Sequence, residues 1–320
     1  AYALVSYQTA WLKAHYPAAF MAAVLSADMD NTDKVVTLID ECADINLSVQ
    51  PPNINLCEHH FTGREDDKVV YGLGAIKGVG EAAIESIINE REANGPFRDL
   101  FDFCQRIELK KVNRRTLEAL VMAGALDVFE QNRATLLASL PAALKIAEQQ
   151  TRNREVGMED LFGMSAQTEA SPAHYLVQPD WHEDQRLSCE KQTLGLYLTG
   201  HPIERYLEEL GRFVTARIVD LKPTNDQTVV VAGLIIAMRS MNTKRGDRMA
   251  FITIDDRSAR IELAVFSESY QRYRDQLAKD KLIVVEGEVS VDEYSGGYKM
   301  SARSIYDINQ AREHLSLIHI

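Results

Sequence analysis

The sequence predicts a multidomain α+β protein in which helical segments come first and a β-barrel follows. Its 320 residues exceed the ~100–200 residues of a typical single domain. Apolar types make up 46% of the chain and charged types 26%, a balance that supports folded cores. Helix-like spacing of apolar residues dominates the first part, whereas the alternation typical of strands begins at Thr228.

Changes in composition and in turn residues divide the chain into five parts. We predict helices over 1–63, paired helical hairpins over 64–150, a linker with an exposed loop over 151–227, a barrel over 228–312, and an apolar tail over 313–320 that need not be native. The stretch 150–185 is polar and lacks sustained periodicity, which indicates a linker. Helix-like patterning returns over Leu194–Leu210.

The first helices are predicted from apolar runs and breakers. Residues 1–27 carry one full charge, Lys13, and are apolar nearly all round, so they predict buried helix broken at Pro17. Asn31-Thr32 is a plausible N-cap for the next helix. Its expected inner face holds Val35, Val36, Leu38, Ile39 and Cys42.

Short strands are predicted next, over Asn55–Phe61 and Lys68–Leu73, with a turn at Gly63–Asp67 between them. From Gly80 to Leu140 the pattern favours short helices separated by tight turns.

A glycine-rich segment, Gly72–Gly80, leads into a helix that is predicted to begin near Glu81. Gly78 and Gly80 permit positive φ and a close approach of the backbone to a ligand. Successive N–H groups at a helix N-terminus suit a phosphate. The parallel strand and βαβ unit of a dinucleotide site are missing, so a helix-hairpin-helix turn fits better, with a simple tight turn as the alternative. The predicted duplex-DNA contacts here are Lys77, Gly78, Val79 and Gly80.

A second hairpin is predicted over Asn113–Asp127, preceded by a basic connector. Four cations add to the predicted duplex-DNA surface: Lys110, Lys111, Arg114 and Arg115. Arg106 belongs to the same basic cluster, in which Glu108 is the one acidic residue. Paired hairpins with such a connector would neutralise several phosphates of one duplex.

The last part predicts an OB-fold, a five-stranded Greek-key barrel with a helix between its third and fourth strands. The strands are predicted over Val229–Met238, Met249–Ile254, Arg260–Phe266, Leu282–Val291 and Tyr298–Ile305, and the helix over Ser267–Leu277. Loops 240–248 and 292–298 flank the usual oligonucleotide face. The predicted single-strand contacts are Arg239, Lys244, Arg245, Arg248, Phe251 and Tyr298, although aromatic residues at strand spacing can also face the core.

The polar linker contains two adjacent large apolar side chains, Leu161 and Phe162, without an obvious core. An exposed Leu-Phe pair is typical of an anchor for a partner's hydrophobic pocket. The alternative is the start of a local helix that packs Phe162 inward.

Charge and cysteines limit the class of protein. The net charge of −12 is unevenly distributed, with −5 over 1–63, −2 over 64–134, −5 over 135–227, +1 over 228–312 and −1 from Glu313. Such asymmetry suits contact with a polyanion at chosen places. Four cysteines without a C-x-x-C pair favour a reducing cytoplasm, and no apolar run is long enough to span a bilayer. A secretory leader is not expected, because the chain opens on Ala1 without a basic segment and an apolar core.

No catalytic or metal site is predicted. Cys57, His59 and His60 lack a fourth ligand for zinc, and adjacent histidines reach one ion poorly. Asp255-Asp256 is the one local acidic pair in a strand context, and it predicts the end of a strand.

Four stretches resemble the alpha subunit of bacterial replicative DNA polymerase III. They are Ala1–Asp28, Tyr71–Arg91 (YGLGAIKGVGEAAIESIINER), Asn113–Asp127 (NRRTLEALVMAGALD) and Thr193–Ile203 (TLGLYLTGHPI). The resemblance implies the end of the polymerase fingers, tandem helix-hairpin-helix motifs on duplex DNA, a loop that binds the sliding clamp, and an OB domain near single-stranded template. It also implies other replisome subunits as partners.

The resemblance also gives the linker motif a role in clamp binding and places the catalytic residues outside this sequence. Met158, Asp160, Leu161 and Phe162 are similar to the family's clamp-binding Gln-x-Asp-Leu-Phe, with Met158 where glutamine is usual. The family's catalytic carboxylates and their Mg²⁺ lie in a palm domain that this sequence lacks. We therefore expect no cofactor here and no DNA synthesis by this chain alone.

Two other interpretations of the sequence remain open. The first is a helix-hairpin-helix and OB accessory module of another DNA repair enzyme; a ligase would need Lys-x-Asp-Gly, which the sequence lacks. The second is a scaffold in which both modules make protein contacts only.

Overall fold

A computed structural model describes residues 2–64, 67–155, 174–223, 227–243, 246–291 and 297–315. The chain forms two compact units, residues 1–199 and residues 200–320. Helices precede a closed five-stranded barrel, so the predicted multidomain α+β class is confirmed. The division into five parts stays a prediction. Among the described residues, none of the helices is long and apolar enough to cross a membrane.

The first unit contains eight helices and three short strands in its described part. The helices are α1 (Tyr2–His15), α2 (Pro17–Ala27), α3 (Thr32–Asp44), α4 (Glu81–Asn94), α5 (Leu100–Arg106), α6 (Arg114–Met122), α7 (Arg133–Glu155) and α8 (Glu183–Leu194). The strands are β1 (Ser48–Gln50), β2 (Thr62–Arg64) and β3 (Lys68–Val70). One hydrophobic core extends from α2 to the end of α8.

The first two helices meet at Pro17 as predicted, but α1 is not buried. Pro17 occupies the first turn of α2, where its missing N–H leaves no hydrogen bond unmade. Every described residue of α1 is at least partly exposed, including Tyr2 at 92% and Tyr7 at 67%. The prediction of burial was wrong for α1, because within the described part this helix contacts mainly α2 and makes an ion pair from Lys13 to Glu41.

The region after α3 forms a small sheet in the order β1-β3-β2. The Asn31 side chain accepts a hydrogen bond from the Lys34 amide, which confirms the predicted N-cap of α3. The strand predicted over Asn55–Phe61 was wrong. Asn53 Oδ1 accepts from the Asn55 amide at 2.8 Å, and Cys57 Sγ accepts from the Asn53 amide at 3.1 Å, so local side-chain bonds hold a turn there instead.

The short helices between residues 80 and 140 are confirmed and are closed by local caps. Asp99 caps α5 by accepting from the Phe101 and Asp102 amides, and Asn113 caps α6 by accepting from Thr116. Edge-on aromatic packing joins Phe97 to Phe103, with ring centroids 4.8 Å apart.

The predicted linker is more ordered than expected at both of its described flanks. α7 continues to Glu155, and α8 begins at Glu183, whereas 174–182 runs without regular secondary structure. Tyr175 Oη accepts from the Leu100 amide at 3.1 Å, and the Gln178 amide donates to Thr135 Oγ1 at 2.9 Å. Helix was predicted over Leu194–Leu210, but α8 ends at Leu194 and helical structure resumes only at Glu204.

A buried ion pair between Arg133 and Glu190 fastens α8 to the start of α7. Arg133 Nη1 lies 3.0 Å from Glu190 Oε1, and their side chains are 6% and 0% exposed. The second oxygen of Glu190 accepts from the amides of Leu198 and Thr199, each at 3.0 Å. Arg133 also donates to Asp127 Oδ2 at 2.7 Å. Because each carboxylate oxygen has donors, the desolvated charge is compensated.

The charge on Arg133 is held by its carboxylate partners. Burial opposes the charge, but the hydrogen bonds and charges of Asp127 and Glu190 outweigh it, so the pKa of Arg133 is raised. Gly124 makes room for this arginine, since a Cβ there would lie 2.3 Å from Arg133 Nη2, and its φ of +82° suits glycine.

The second unit contains the closed barrel, with strand order β4-β5-β6-β8-β7. Its strands are β4 (Thr228–Asn242), β5 (Arg248–Asp255), β6 (Arg260–Val265), β7 (Leu282–Val291) and β8 (Tyr298–Tyr306). In the described part of this unit three α-helices accompany them: α9 (Leu207–Leu210), α10 (Ser267–Tyr273) and α11 (Ile308–Leu315). All five predicted strands and the helix after the third strand are confirmed.

Strand β4 is long enough to pair with two neighbouring strands, β7 and β5. Its first half pairs with β7 up to Leu234, and its second half pairs with β5 up to Asn242. The register shifts between Ile235 and Ala237, at the place where β4 changes partner. The parallel pairing of β6 with β8 closes the barrel.

We predict that Glu190→Ala lowers the free energy of unfolding of the first unit by about 3 kcal/mol, because it leaves Arg133 buried with one carboxylate fewer. Urea unfolding followed by far-ultraviolet circular dichroism measures the change. Glu148→Ala, at an exposed position on α7, is the matched control and should change stability by less than about 0.5 kcal/mol. Equal effects of the two substitutions would contradict the proposed importance of the buried pair.

Candidate nucleic-acid interface

The glycine turn before α4 leaves several backbone donors without a partner. Gly78 has φ of +88°, which favours glycine, whereas Gly80 has φ of −83° and caps α4. Within the described part, the amides of Gly78, Gly80, Glu81 and Ala82 donate to no protein acceptor. A Cβ at Gly80 would meet no atom within 4 Å. The turn therefore presents unpaired N–H groups at an open helix N-terminus, an arrangement that binds anions.

The turn rests directly on the N-terminal part of α6. Thr116 Oγ1 donates to the carbonyl of Gly78 at 3.3 Å, and a Cβ at Gly78 would lie 3.7 Å from the Ala119 Cβ. The amides of Arg114 and Arg115 likewise have no acceptor among the described residues. The two predicted hairpin segments thus lie side by side.

The predicted cations of this surface differ in their partners. Lys77, Lys110 and Arg115 are exposed, and within the described part none of them has an ion-pair partner. Lys111 pairs with Glu108 at 3.1 Å, and Arg114 pairs with Glu118 at 2.8 Å. Val79 is 7% exposed and packs into the core, so only its backbone can contribute to a ligand site.

Arg106 does not belong to this surface, although the sequence groups it with the basic cluster. Its guanidinium pairs with Glu90 at 3.0 Å and Asp102 at 3.1 Å and lies 4.5 Å from the centre of the Phe97 ring. Burial raises the pKa of Asp102, but hydrogen bonds from Arg98 and Arg106 outweigh it and the pKa is lowered. Arg106 therefore stabilises the α4–α5 connection.

The sequence did not indicate that α8 supports the turn. The Lys77 amide donates to the carbonyl of Thr193 at 2.9 Å, at the C-terminal end of α8. Gly195 ends that helix with φ of +83°, and a Cβ there would lie 2.1 Å from Thr32 Cγ2 of α3. The sequence pointed to this region only through the resemblance of Thr193–Ile203 to the polymerase family, which did not reveal that the helix end supports the turn.

The barrel carries part of its predicted site on the outer face of β4 and β5. Arg239 lies opposite Phe251, with its guanidinium carbon 4.8 Å from the ring centre. Phe251 is half-buried and faces outward, so it lies on the outer face and not in the barrel core. Glu262 on β6 pairs with Arg239 at 3.1 Å, a contact that the sequence did not reveal.

The remaining predicted barrel residues lie at strand ends. Arg248 begins β5 and is exposed, and Tyr298 begins β8 with 47% exposure. Lys244 and Arg245, in the loop between β4 and β5, lie outside the described residues.

The predicted clamp-binding residues Met158, Asp160, Leu161 and Phe162 also lie outside the described residues. Among the residues that the structure does describe, no group of three His, Cys, Asp or Glu side chains could hold a metal ion. Asp256 accepts from the Ile218 and Ser258 amides at 2.8 Å each, so it organises a loop.

Two protein-family models match these two regions. A helix-hairpin-helix motif matches residues 46–136, and an OB-fold nucleic acid binding domain matches residues 229–308. They confirm the helix-hairpin-helix and OB-fold predictions, and the second model describes a nucleic-acid-binding domain.

Curated relatives extend over nearly the whole chain. DNA polymerase III subunit alpha of Vibrio cholerae is 51% identical over 98% of this chain, and that of Escherichia coli is 51% identical over 98%. The chain is homologous to the DNA polymerase III alpha subunit. The subunit of Pseudomonas aeruginosa is 50% identical over 99% of the chain.

This homology covers a limited part of the alpha subunit. The chain spans 27% of the length of the Vibrio and Escherichia alpha subunits and 28% of the Pseudomonas one. The matched portion is the C-terminal part of the alpha subunit and does not include its catalytic region. The resemblance predicted from the sequence is confirmed.

We predict that Gly80→Ala weakens duplex-DNA binding by about tenfold, because the new methyl group obstructs the close approach of a phosphate. The position has negative φ and open space, so the fold should tolerate alanine. Fluorescence anisotropy with a labelled duplex measures the affinity, and thermal unfolding checks the fold. An unchanged affinity in a folded variant would contradict the role of this turn.

Proposed function

We propose that this chain is the DNA- and clamp-binding part of a bacterial replicative DNA polymerase, which positions duplex product and single-stranded template during template-directed synthesis. The observation that carries the proposal is a pair of adjacent helix starts whose amides are unpaired among the described residues, those of Gly78 and 80–82 and those of Arg114 and Arg115. They lie in a chain homologous to part of the polymerase alpha subunit.

The first unit is suited to bind the backbone of a duplex without reading its bases. Unpaired main-chain amides at two neighbouring helix starts can each donate a hydrogen bond to a phosphate oxygen. Lys77, Lys110 and Arg115 add charge where the described surface supplies no carboxylate partner. Contacts of this kind are made to phosphates and do not depend on the base sequence. A polymerase needs such contacts because its duplex product varies in sequence.

The barrel is proposed to bind single-stranded template. OB-folds bind strands through their second and third strands and the adjoining loops. Here the second strand, β5, presents Phe251 outward, and the cations Arg239 and Arg248 lie on the same hairpin. Lys244, Arg245 and Tyr298 complete the proposed surface.

The segment with Leu161 and Phe162 is proposed to bind the sliding clamp. Support comes from the sequence alone: two large apolar side chains in a polar stretch, similar to a clamp-binding motif. Met158 replaces the usual glutamine and removes an amide that could hydrogen-bond, so the apolar pair is expected to supply most of the affinity.

The wider assembly is part of the same proposal. The complete polymerase would hold Mg²⁺ at carboxylates outside this chain, and this part would require no metal of its own. Other replisome subunits would contact it, in the cytoplasm.

We predict that replacing Lys110 and Arg115 by Gln reduces both duplex affinity and its salt dependence. Each lost phosphate contact should lower the slope of log K against log salt by about 0.9 in magnitude. Titrations at several salt concentrations measure the slope. Lys145→Gln with Arg152→Gln, on α7, is the matched control because it changes the net charge equally. The same loss in both double variants would indicate a general charge effect and contradict a defined surface.

We predict that Phe162→Ala weakens clamp binding at least tenfold, since the aromatic anchor of such a motif supplies most of its apolar contact. Surface plasmon resonance with immobilised clamp measures it. Met158→Gln should strengthen binding if this segment is the site, and it serves as the converse variant. Retained clamp affinity in Phe162→Ala would place the clamp contact elsewhere.

A further inference from the structure

Three strands of the barrel bring a cation, an aromatic ring and a carboxylate together on one outer face. Phe251 on β5 lies opposite Arg239 on β4 and opposite Ala264 on β6. Glu262 lies two residues before Ala264 on β6, diagonal to Phe251. Since β4 and β6 lie on either side of β5, an Arg239 side chain that reaches Glu262 must cross β5.

The crossing covers the aromatic ring. The Arg239 guanidinium carbon lies 4.8 Å from the centre of the Phe251 ring, and Nη2 lies 3.1 Å from Glu262 Oε2. A cation above an aromatic face is attracted to it, and the carboxylate fixes the direction of the side chain. Both groups that a nucleic acid would use here, the guanidinium and the ring, are therefore engaged within the protein.

The carboxylate of Glu262 offers Arg239 oxygen acceptors of the kind that a phosphate also offers. Arginine binds carboxylate and phosphate oxygens with the same planar array of donors, so one ligand can replace the other. Exposure makes the exchange easy: the Arg239 side chain is 71% exposed and that of Glu262 is 41% exposed. Ion pairs this exposed contribute little to stability and are broken readily.

We propose that Glu262 is an intramolecular competitor of nucleic-acid phosphate at Arg239. A single strand displaces Glu262, Arg239 turns to the phosphate, and the Phe251 ring is uncovered for a base. The carboxylate lowers the affinity of the barrel for single strands, which allows template to move across the face. This inference rests on the proposed single-strand binding by the barrel.

The test compares binding of a fluorescein-labelled oligothymidylate to the full chain and its variants by anisotropy at low salt. Glu262→Gln should tighten binding roughly two- to fivefold, the range expected for removal of one exposed ion pair. Glu288→Gln is the matched control, because Glu288 also pairs with an arginine, Arg303, on the barrel. It should leave the affinity nearly unchanged.

The dependence on Arg239 distinguishes competition from general charge repulsion. In an Arg239→Gln background, Glu262→Gln should no longer tighten binding. Equal gains from Glu262→Gln and Glu288→Gln, or a gain that persists without Arg239, would overturn the proposal.

The same variants distinguish failure of the competition from failure of the proposed single-strand binding. If Arg239→Gln weakens binding while Glu262→Gln has no effect, single-strand binding stands and the competition is wrong. If Arg239→Gln and Phe251→Ala both leave the affinity unchanged, this face does not bind single strands and both proposals fail.

Discussion

The architecture of the first unit depends on one buried ion pair, Arg133 with Glu190. Arg133 starts α7, and Glu190 lies on α8, 57 residues later in the chain. The same guanidinium donates to the Met122 carbonyl at the end of α6 at 3.3 Å. Three helices are thus positioned by two charged side chains, and α8 in turn holds the Lys77 amide through Thr193. The geometry of the glycine turn therefore depends on residues far from it in sequence.

This support explains how an acidic protein can offer a surface to a polyanion. The net charge of −12 would repel DNA if it were spread evenly. At the glycine turn, the donors are main-chain amides fixed by packing, and the nearby cations Lys110 and Arg115 have no described carboxylate partner. Acidic side chains close by are instead directed to particular cations, as Glu118 is to Arg114. Local arrangement thus outweighs overall charge.

The sequence predicted elements whose signal is local and missed those that depend on distant contacts. The barrel strands alternate apolar and polar residues, so their limits were predicted within a few residues. The Asn31 cap acts within one turn and was equally visible. In contrast, α8 was not predicted, because two of its four buried residues, Glu190 and Thr193, are polar. Burial of an acidic side chain cannot be recognised from the sequence. Arg106 resembled a free cation because Glu90 and Phe97 are remote in sequence.

The irregular segment 174–178 resumes the described chain after residues 156–173, which contain the proposed clamp-binding motif. Its hydrogen bonds to Leu100 and Thr135 attach it to α5 and α7 of the first unit. Glu155 and His174 therefore both belong to one compact unit. Under the proposed function, a clamp bound between these two residues would stay at high effective concentration around the proposed duplex surface. Two weak associations joined in this way act as one long-lived complex, while each contact separately remains quick to exchange.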